Sequence, residues 1–302
     1  MGKIDIHAHY LPEIYRNTLL ENGVNAQAVP LWSEESQLAF MNEYGIDYSI
    51  LSLSAPHFHF HDIDETAALA RKINEFGAML HEKFPGRFGF ASVLPFPDIQ
   101  MCVKEIEYSA VHLKNRIFGM LTNYEGVYLG DDSIVPIYEK LNEIGAVVIL
   151  HPADPVPANN NIKLNSALMD YFFDTTRAVT NMIVNGTILK YSNIKFVIPH
   201  GGALLTVLSD RLSVLSKAIG MKDMKVEQCL QSLYYDLAGV SMPKQYDLLL
   251  ETTDTTHLLY GTDYPYTPNQ LYSAFLEAME EKIPDQYKKM IYSENAKALI
   301  HF

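Results

Sequence analysis

Four apolar runs in this chain each end in a histidine or an aspartate. They are Ile4-Asp5-Ile6-His7-Ala8-His9, Val148-Ile149-Leu150-His151-Pro152, Val197-Ile198-Pro199-His200-Gly201-Gly202 and Tyr260-Gly261-Thr262-Asp263-Tyr264-Pro265. In a strand, side chains two residues apart share a face. His7 and His9 therefore aim two imidazoles at one point. Buried titratable groups need partners. Strands far apart in sequence satisfy that need together if they run parallel and end at one common mouth.

The rest of the chain supports such a layout. Strand-like runs fall at 4–7, 46–53, 88–94, 118–121, 146–151, 194–200, 233–238 and 258–262. Helical periodicity occupies 33–44, 62–84, 97–113, 133–144, 174–189 and about 202–217. Eight β-then-α units within 302 residues point to an α/β chain forming a single (β/α)8 barrel, regular or distorted, with one domain over 1–302. Irregular stretches at 22–30 and 152–163 follow the first and fifth strands. Both would be extra loops on the face where such barrels carry their chemistry.

Composition narrows the function classes. A formal net charge of -13 argues against a nucleic-acid or anionic-membrane partner, since both call for basic patches. Cys102 and Cys229 are far apart and read as buried free thiols of a reducing compartment. The first strand begins at about the third residue, which leaves no room for a signal peptide. No apolar run approaches the ~20 residues of a membrane helix. The expectation is a cytoplasmic protein.

Imidazole nitrogen and carboxylate oxygen suit a borderline divalent cation, zinc first and manganese as the alternative. His7, His9, His151 and Asp263 would supply four ligands, leaving room for water or substrate. His200 would stand beside that open position as a proton carrier, its ordinary pKa near ~6.5 being suited to the task. No strand closes on a lysine that could bridge two ions, so one ion is expected. Pro56-His57-Phe58-His59-Phe60-His61 follows the second strand. It reads as loop or substrate wall rather than a second metal site, with His57 nearest the strand end. Trp32, Tyr264 and Tyr266 would either wall a flat substrate or pack the barrel mouth. Asp236 would either orient a ligand or cap a turn.

The ordered set of motifs resembles the decarboxylase-like branch of the amidohydrolase superfamily, the branch of aminocarboxymuconate semialdehyde decarboxylase and γ-resorcylate decarboxylase. The shared marks run the length of the chain. They include the His7-Ala8-His9 pair, Tyr44-Gly45-Ile46-Asp47, Phe84-Pro85-Gly86-Arg87-Phe88, His151-Pro152, His200-Gly201-Gly202-Ala203, Gly261-Thr262-Asp263-Tyr264-Pro265 and Glu294-Asn295-Ala296. The resemblance implies a single zinc on His7, His9, His151 and Asp263, with His200 activating bound water. It also implies that Arg211 reaches substrate in a neighbouring subunit of a homodimer. Read locally, Arg211 beside Asp210 is an ordinary surface charge. The muconate enzyme also carries an arginine after the first strand. Here Ala28-Val29-Pro30-Leu31-Trp32 stands in that segment and Arg16 is the one arginine before it. A bidentate clamp for a second carboxylate is thereby missing.

The expected activity is metal-dependent, non-oxidative loss of CO2 from a small unsaturated or aromatic carboxylic acid. The alternative is hydrolysis of an amide, ester or lactone, with Asp263 or His200 moving the proton. A barrel that keeps the ligands only to bind or regulate is the remaining class. Substituting Asp263→Asn separates it from the enzyme readings.

Overall fold

The computed structural model describes every residue except 1, 57, 59–61, 157–163, 222–223, 240–241 and 302. Eight strands carry the fold: β1 Lys3–His9, β2 Ile46–Ser52, β3 Phe88–Phe90, β4 Ile117–Leu121, β5 Val147–His151, β6 Lys195–Ile198, β7 Tyr234–Asp236 and β8 Leu258–Leu259. All pair in parallel, in two arcs, β1-β2-β3 and β8-β7-β6-β5-β4.

Backbone hydrogen bonds join the arcs at both junctions. Beyond β3, Ser92 bridges Phe118, with Ser92 N 2.8 Å from Ile117 O and Gly119 N 2.9 Å from Ser92 O. At the other seam Ala8 bridges Tyr264. Ile6 N donates to Tyr260 O at 3.0 Å and His9 N to Tyr264 O at 2.7 Å. His7 O accepts from both Thr262 N (3.2 Å) and Asp263 N (2.8 Å). The strands thus close into a (β/α)8 barrel.

Ile4, Ile6, Tyr48, Ile50, Val147, Ile149, Val197 and Leu259 form one buried cluster, shared with Ala296 and Leu299 of the terminal helix Asn295–Ile300. Strict alternation along β1 would continue Ile4 and Ile6 with Ala8. The β1–β2 register breaks between Asp5 and Ala8, and Ala8 joins the larger core under the helices. Such a break re-aims side chains, and here it brings His7 and His9 onto the site.

Three of the helices start where short polar side chains cap them. Ser33 and Ser36 form a reciprocal capping box for Glu34–Tyr44, which Gly45 ends at φ 66°. Asp62 accepts from Glu65 N ahead of Ile63–Lys83, and Asp98 from Met101 N ahead of Ile99–Val111. Two departures from the sequence pattern matter. A helix at Glu13–Glu21 precedes the irregular 22–30 stretch. The helix expected over 174–189 begins earlier, at Asp170, and ends at Val184, because Gly186 at φ 70° breaks the chain before a short turn at Thr187–Lys190. Among the described residues no helix is long and apolar enough to cross a membrane. Cys102 and Cys229 are both buried and unpaired.

Asp174, fully buried on the helix Asp170–Val184, ties this side of the barrel together. Its carboxylate accepts from Thr122 Oγ1, from Asn123 Nδ2 at 3.0 Å and from the Tyr128 hydroxyl. Thr122 in turn accepts from Ala153 N at 2.9 Å and donates its own N–H to His151 O. Removing the acceptor strands several buried donors. Asp174→Ala should therefore lower the unfolding free energy by about 2–4 kcal/mol in urea titrations. A loss below roughly 0.5 kcal/mol, the range of an ordinary surface change, would contradict this role.

Candidate metal centre

His7, His9, His151 and Asp263 meet at the carboxyl end of the barrel, each offering one ligand atom within 4.8 Å of the others. His7 Nε2 lies 3.1 Å from His9 Nε2 and 3.4 Å from Asp263 Oδ1, and His9 Nε2 lies 3.1 Å from the same oxygen. Metal–ligand bonds of about 2.0–2.2 Å, at right to tetrahedral angles, put neighbouring donors roughly 3.0–3.5 Å apart. The spacing fits a divalent cation.

The ring orientations fit as well. His7 Nδ1 is 2.8 Å from Asp236 Oδ2. His9 Nδ1 is 3.1 Å from Ser52 Oγ, and His151 Nδ1 is 2.7 Å from Pro152 O. An oxygen partner on Nδ1 leaves Nε2 as the free ligand nitrogen. His200 differs. Its ring lies 5.0 Å from that of His7, yet its buried Nδ1 has no partner among the described residues.

Electrostatics separate the groups in the same way. Burial works against charge on His7, but the carboxylates of Asp236 and Asp263 outweigh it and hold the His7 pKa well above its ordinary value. Burial likewise opposes ionisation of Asp263, and the hydrogen bonds from His7 and His9 overcome it, so that carboxylate stays well below the usual range. Burial lowers His9, and it lowers His151 further with help from the His9 and His7 charges. His200 is pushed down to about 4 by burial and then by His7. Without a cation the cluster shares protons, and a bound cation would take the place of the proton on His7.

Asp236 performs both duties open to it in the sequence. One oxygen orients His7, and the other accepts from His200 N at 3.0 Å and Ala238 N at 3.1 Å. Asp5 supports the opposite edge. It accepts from Thr262 Oγ1 at 2.7 Å and from the backbone N–H of Thr262 and His7, both at 3.1 Å.

Aromatic rings wall the mouth. Tyr266 lies edge-on to His9 at 5.4 Å, and its hydroxyl bonds Ser54. Tyr171 stands edge-on to His151 at 6.1 Å, and Phe172 lies nearly parallel to His200, at 6.0 Å and 18°. Sequence reasoning missed Tyr171 and Phe172. Their signal, two aromatics opening the helix after the fifth-strand loop, was hidden by starting that helix at 174. Trp32 sits farther out, edge-on to Tyr10 and Phe76, with its indole N–H on Gln37 Oε1 at 2.9 Å. Tyr264 stacks on Phe40 at 4.1 Å. Arg211 is exposed on the helix Leu205–Ala218, outside the cluster of its own chain. His57 lies outside the described residues.

Fold and cluster together define a (β/α)8 barrel with a His/Asp cluster at its carboxyl mouth that could hold a metal ion. A family model described as Amidohydrolase matches residues 4–302, and the chain belongs to that family. It is 33% identical to Decarboxylase macB of Penicillium terrestre over 301 residues, covering 93% of this chain and 89% of that one. It is 31% identical to 6-methylsalicylic acid decarboxylase of Penicillium expansum over 307 residues, covering 97% and 94%. A solved structure named Amidohydrorolase II superposes with a TM-score of 0.94 at 32% identity, over 100% of both chains.

Because Asp236 fixes the His7 ring, Asp236→Asn should weaken metal affinity by roughly 10- to 100-fold while the barrel stays folded. Competition with a chelator, followed by metal analysis, measures this. Unchanged affinity would remove Asp236 from the centre's support.

Proposed function

We propose that this chain is a divalent-metal-dependent carboxy-lyase that removes CO2, without oxidation, from a small aromatic carboxylic acid. The observation that carries this is the near full-length similarity to decarboxylases, one of them named for 6-methylsalicylic acid, on a barrel whose cluster fits one divalent ion. His7, His9, His151 and Asp263 would hold the ion, zinc first and manganese as the alternative. A cation bound there supplies fixed positive charge that neutralises and orients the oxygens of the acid.

The chain's own groups handle the proton. With its pKa near 4, His200 is neutral at pH 7, so it relays a proton rather than storing one. It delivers that proton to the ring carbon bearing the carboxylate. The bond from that carbon to the carboxylate then breaks, its electron pair returns to the ring, and CO2 leaves. One proton is taken up and one hydrogen stands where the carboxylate was. Asp263 is both ligand and the second proton-handling group. Tyr266, and more distantly Trp32, would wall the flat substrate, and the sequence offers His57 for the same role.

Arg211 is exposed on the same helix as the exposed apolar side chains Val207 and Val214, with Ile219 just beyond its end. We place a homodimer contact on this face, with Arg211 reaching the acid in the partner's site. The cellular setting we favour is the cytoplasm.

Released CO2, followed over a panel of hydroxybenzoates and muconate-like acids, tests the reaction. Turnover is expected among methyl- and hydroxy-substituted benzoates. No CO2 from any of them, with hydrolysis of a lactone instead, would sink the carboxy-lyase reading. For the assembly, Arg211→Ala should raise KM more than it changes metal content, and activity should fall on dilution together with dimer dissociation. A fully active monomer would remove the shared-site reading.

A further inference from the structure

The turn that carries His200 runs against ordinary backbone preference. His200, Gly201, Gly202 and Ala203 all have positive φ, at 54°, 61°, 75° and 54°. Glycine tolerates this region, but His200 and Ala203 each bear a Cβ and are disfavoured there. Strained residues persist where the surroundings over-determine them.

One side chain supplies much of that determination. Gln245, on the helix Lys244–Thr252, places Nε2 2.7 Å from His200 O, 2.9 Å from Gly201 O and 2.9 Å from Ala203 O. All three neighbours are acceptors, so the nitrogen end of the amide must face them. The fit is close, because a Cβ added to Gly201 would come 2.8 Å from Gln245 Cδ. From the other side Asp236 holds His200 N. A Cβ on Gly239 would come 2.6 Å from His200 Cδ2, so the ring lies directly against the backbone after β7. Among the described residues Nδ1 has no partner, so no hydrogen bond at that nitrogen aims the imidazole. Its direction is inherited from the turn.

We propose that Gln245 is a positioning residue, clamping the carbonyls of the His200–Ala203 turn and thereby aiming the His200 imidazole into the metal centre. Gln245 acts through His200 and touches neither ligand nor substrate. The inference rests on His200 being the proton carrier. It predicts a loss in the rate of the proton step, with metal loading and substrate affinity preserved.

Three single variants and one double variant of the metal-loaded full chain test it. Gln245→Met keeps the bulk and removes the donors. Gln245→Glu keeps the shape but turns a carboxylate oxygen toward three carbonyl oxygens. His200→Gln removes the proton carrier. Both Gln245 variants should lose roughly 10- to 100-fold in kcat, Glu at least as much as Met, as expected for a misplaced reacting group. KM should stay within about threefold and metal content at the parental value, a split that general destabilisation does not produce. The double variant His200→Gln/Gln245→Met should be no slower than His200→Gln alone, since both act on one group. Parental kcat in both Gln245 variants, with His200→Gln slow, overturns the clamp and leaves the proton carrier standing. Rate losses that multiply, or metal lost from the Gln245 variants, also overturn the clamp. A fast His200→Gln enzyme overturns the proton-carrier reading and this inference with it.

Discussion

The seam between the first and last strands is the contact on which the site depends. His7 O accepts two backbone N–H groups there, from Thr262 and from Asp263, whose side chain shares the cluster with the His7 ring. Asp5, two residues earlier on β1, binds Thr262 through both carboxylate oxygens. Closing the barrel and bringing together three of the four clustered side chains, His7, His9 and Asp263, are therefore one event. The ligand spacing follows from backbone pairing rather than from flexible side chains finding one another, and pre-organisation of this kind is what a metal centre needs.

Around the seam the four imidazoles are fixed in two different ways. Three imidazoles have Nδ1 occupied by a carboxylate, a hydroxyl or a carbonyl oxygen, so each presents one nitrogen in one direction. The fourth, His200, is fastened by its main chain, and among the described residues its Nδ1 has no partner. A ligand benefits from a fixed tautomer. The proton-carrying role proposed for His200 asks instead for ring nitrogens able to change state. Asp236 serves both arrangements, with one oxygen on the His7 ring and the other on the backbone of His200.

Much of this was legible in the chain. Polar residues ending apolar runs disclosed which side chains would meet, His7, His9, His151 and Asp263 with the His200 ring beside them, because strand periodicity and burial leave such residues few other uses. The (β/α)8 order followed from the alternation of runs. What escaped was governed by geometry without a local signature. Simple alternation along β1 sets His7 and His9 opposite Ile4 and Ile6, and the register break that re-aims them is a property of pairing with β2. Tyr171 and Phe172 sit in a first helical turn that carries no glycine or proline to mark it. Trp32 shows the limit of composition, since a large aromatic suits a substrate wall and a packed cluster with Tyr10 and Phe76 equally well. Gln245 is an ordinary glutamine on an ordinary helix, 45 residues from the carbonyl it holds. Only folding brings the two together.

The seam also has a bearing on how the protein comes to exist. His9 and Asp263 are 254 residues apart in sequence, yet their side chains touch. During synthesis His7 and His9 leave the ribosome long before Asp263 does. Contacts of such sequence separation close late, because the intervening loop must first be ordered. The nascent chain thus carries a bare pair of imidazoles through most of synthesis, and the complete donor set appears with the last strand. Any discrimination among cations that these four donors could provide would therefore belong to the closed barrel and not to the His7–His9 pair alone.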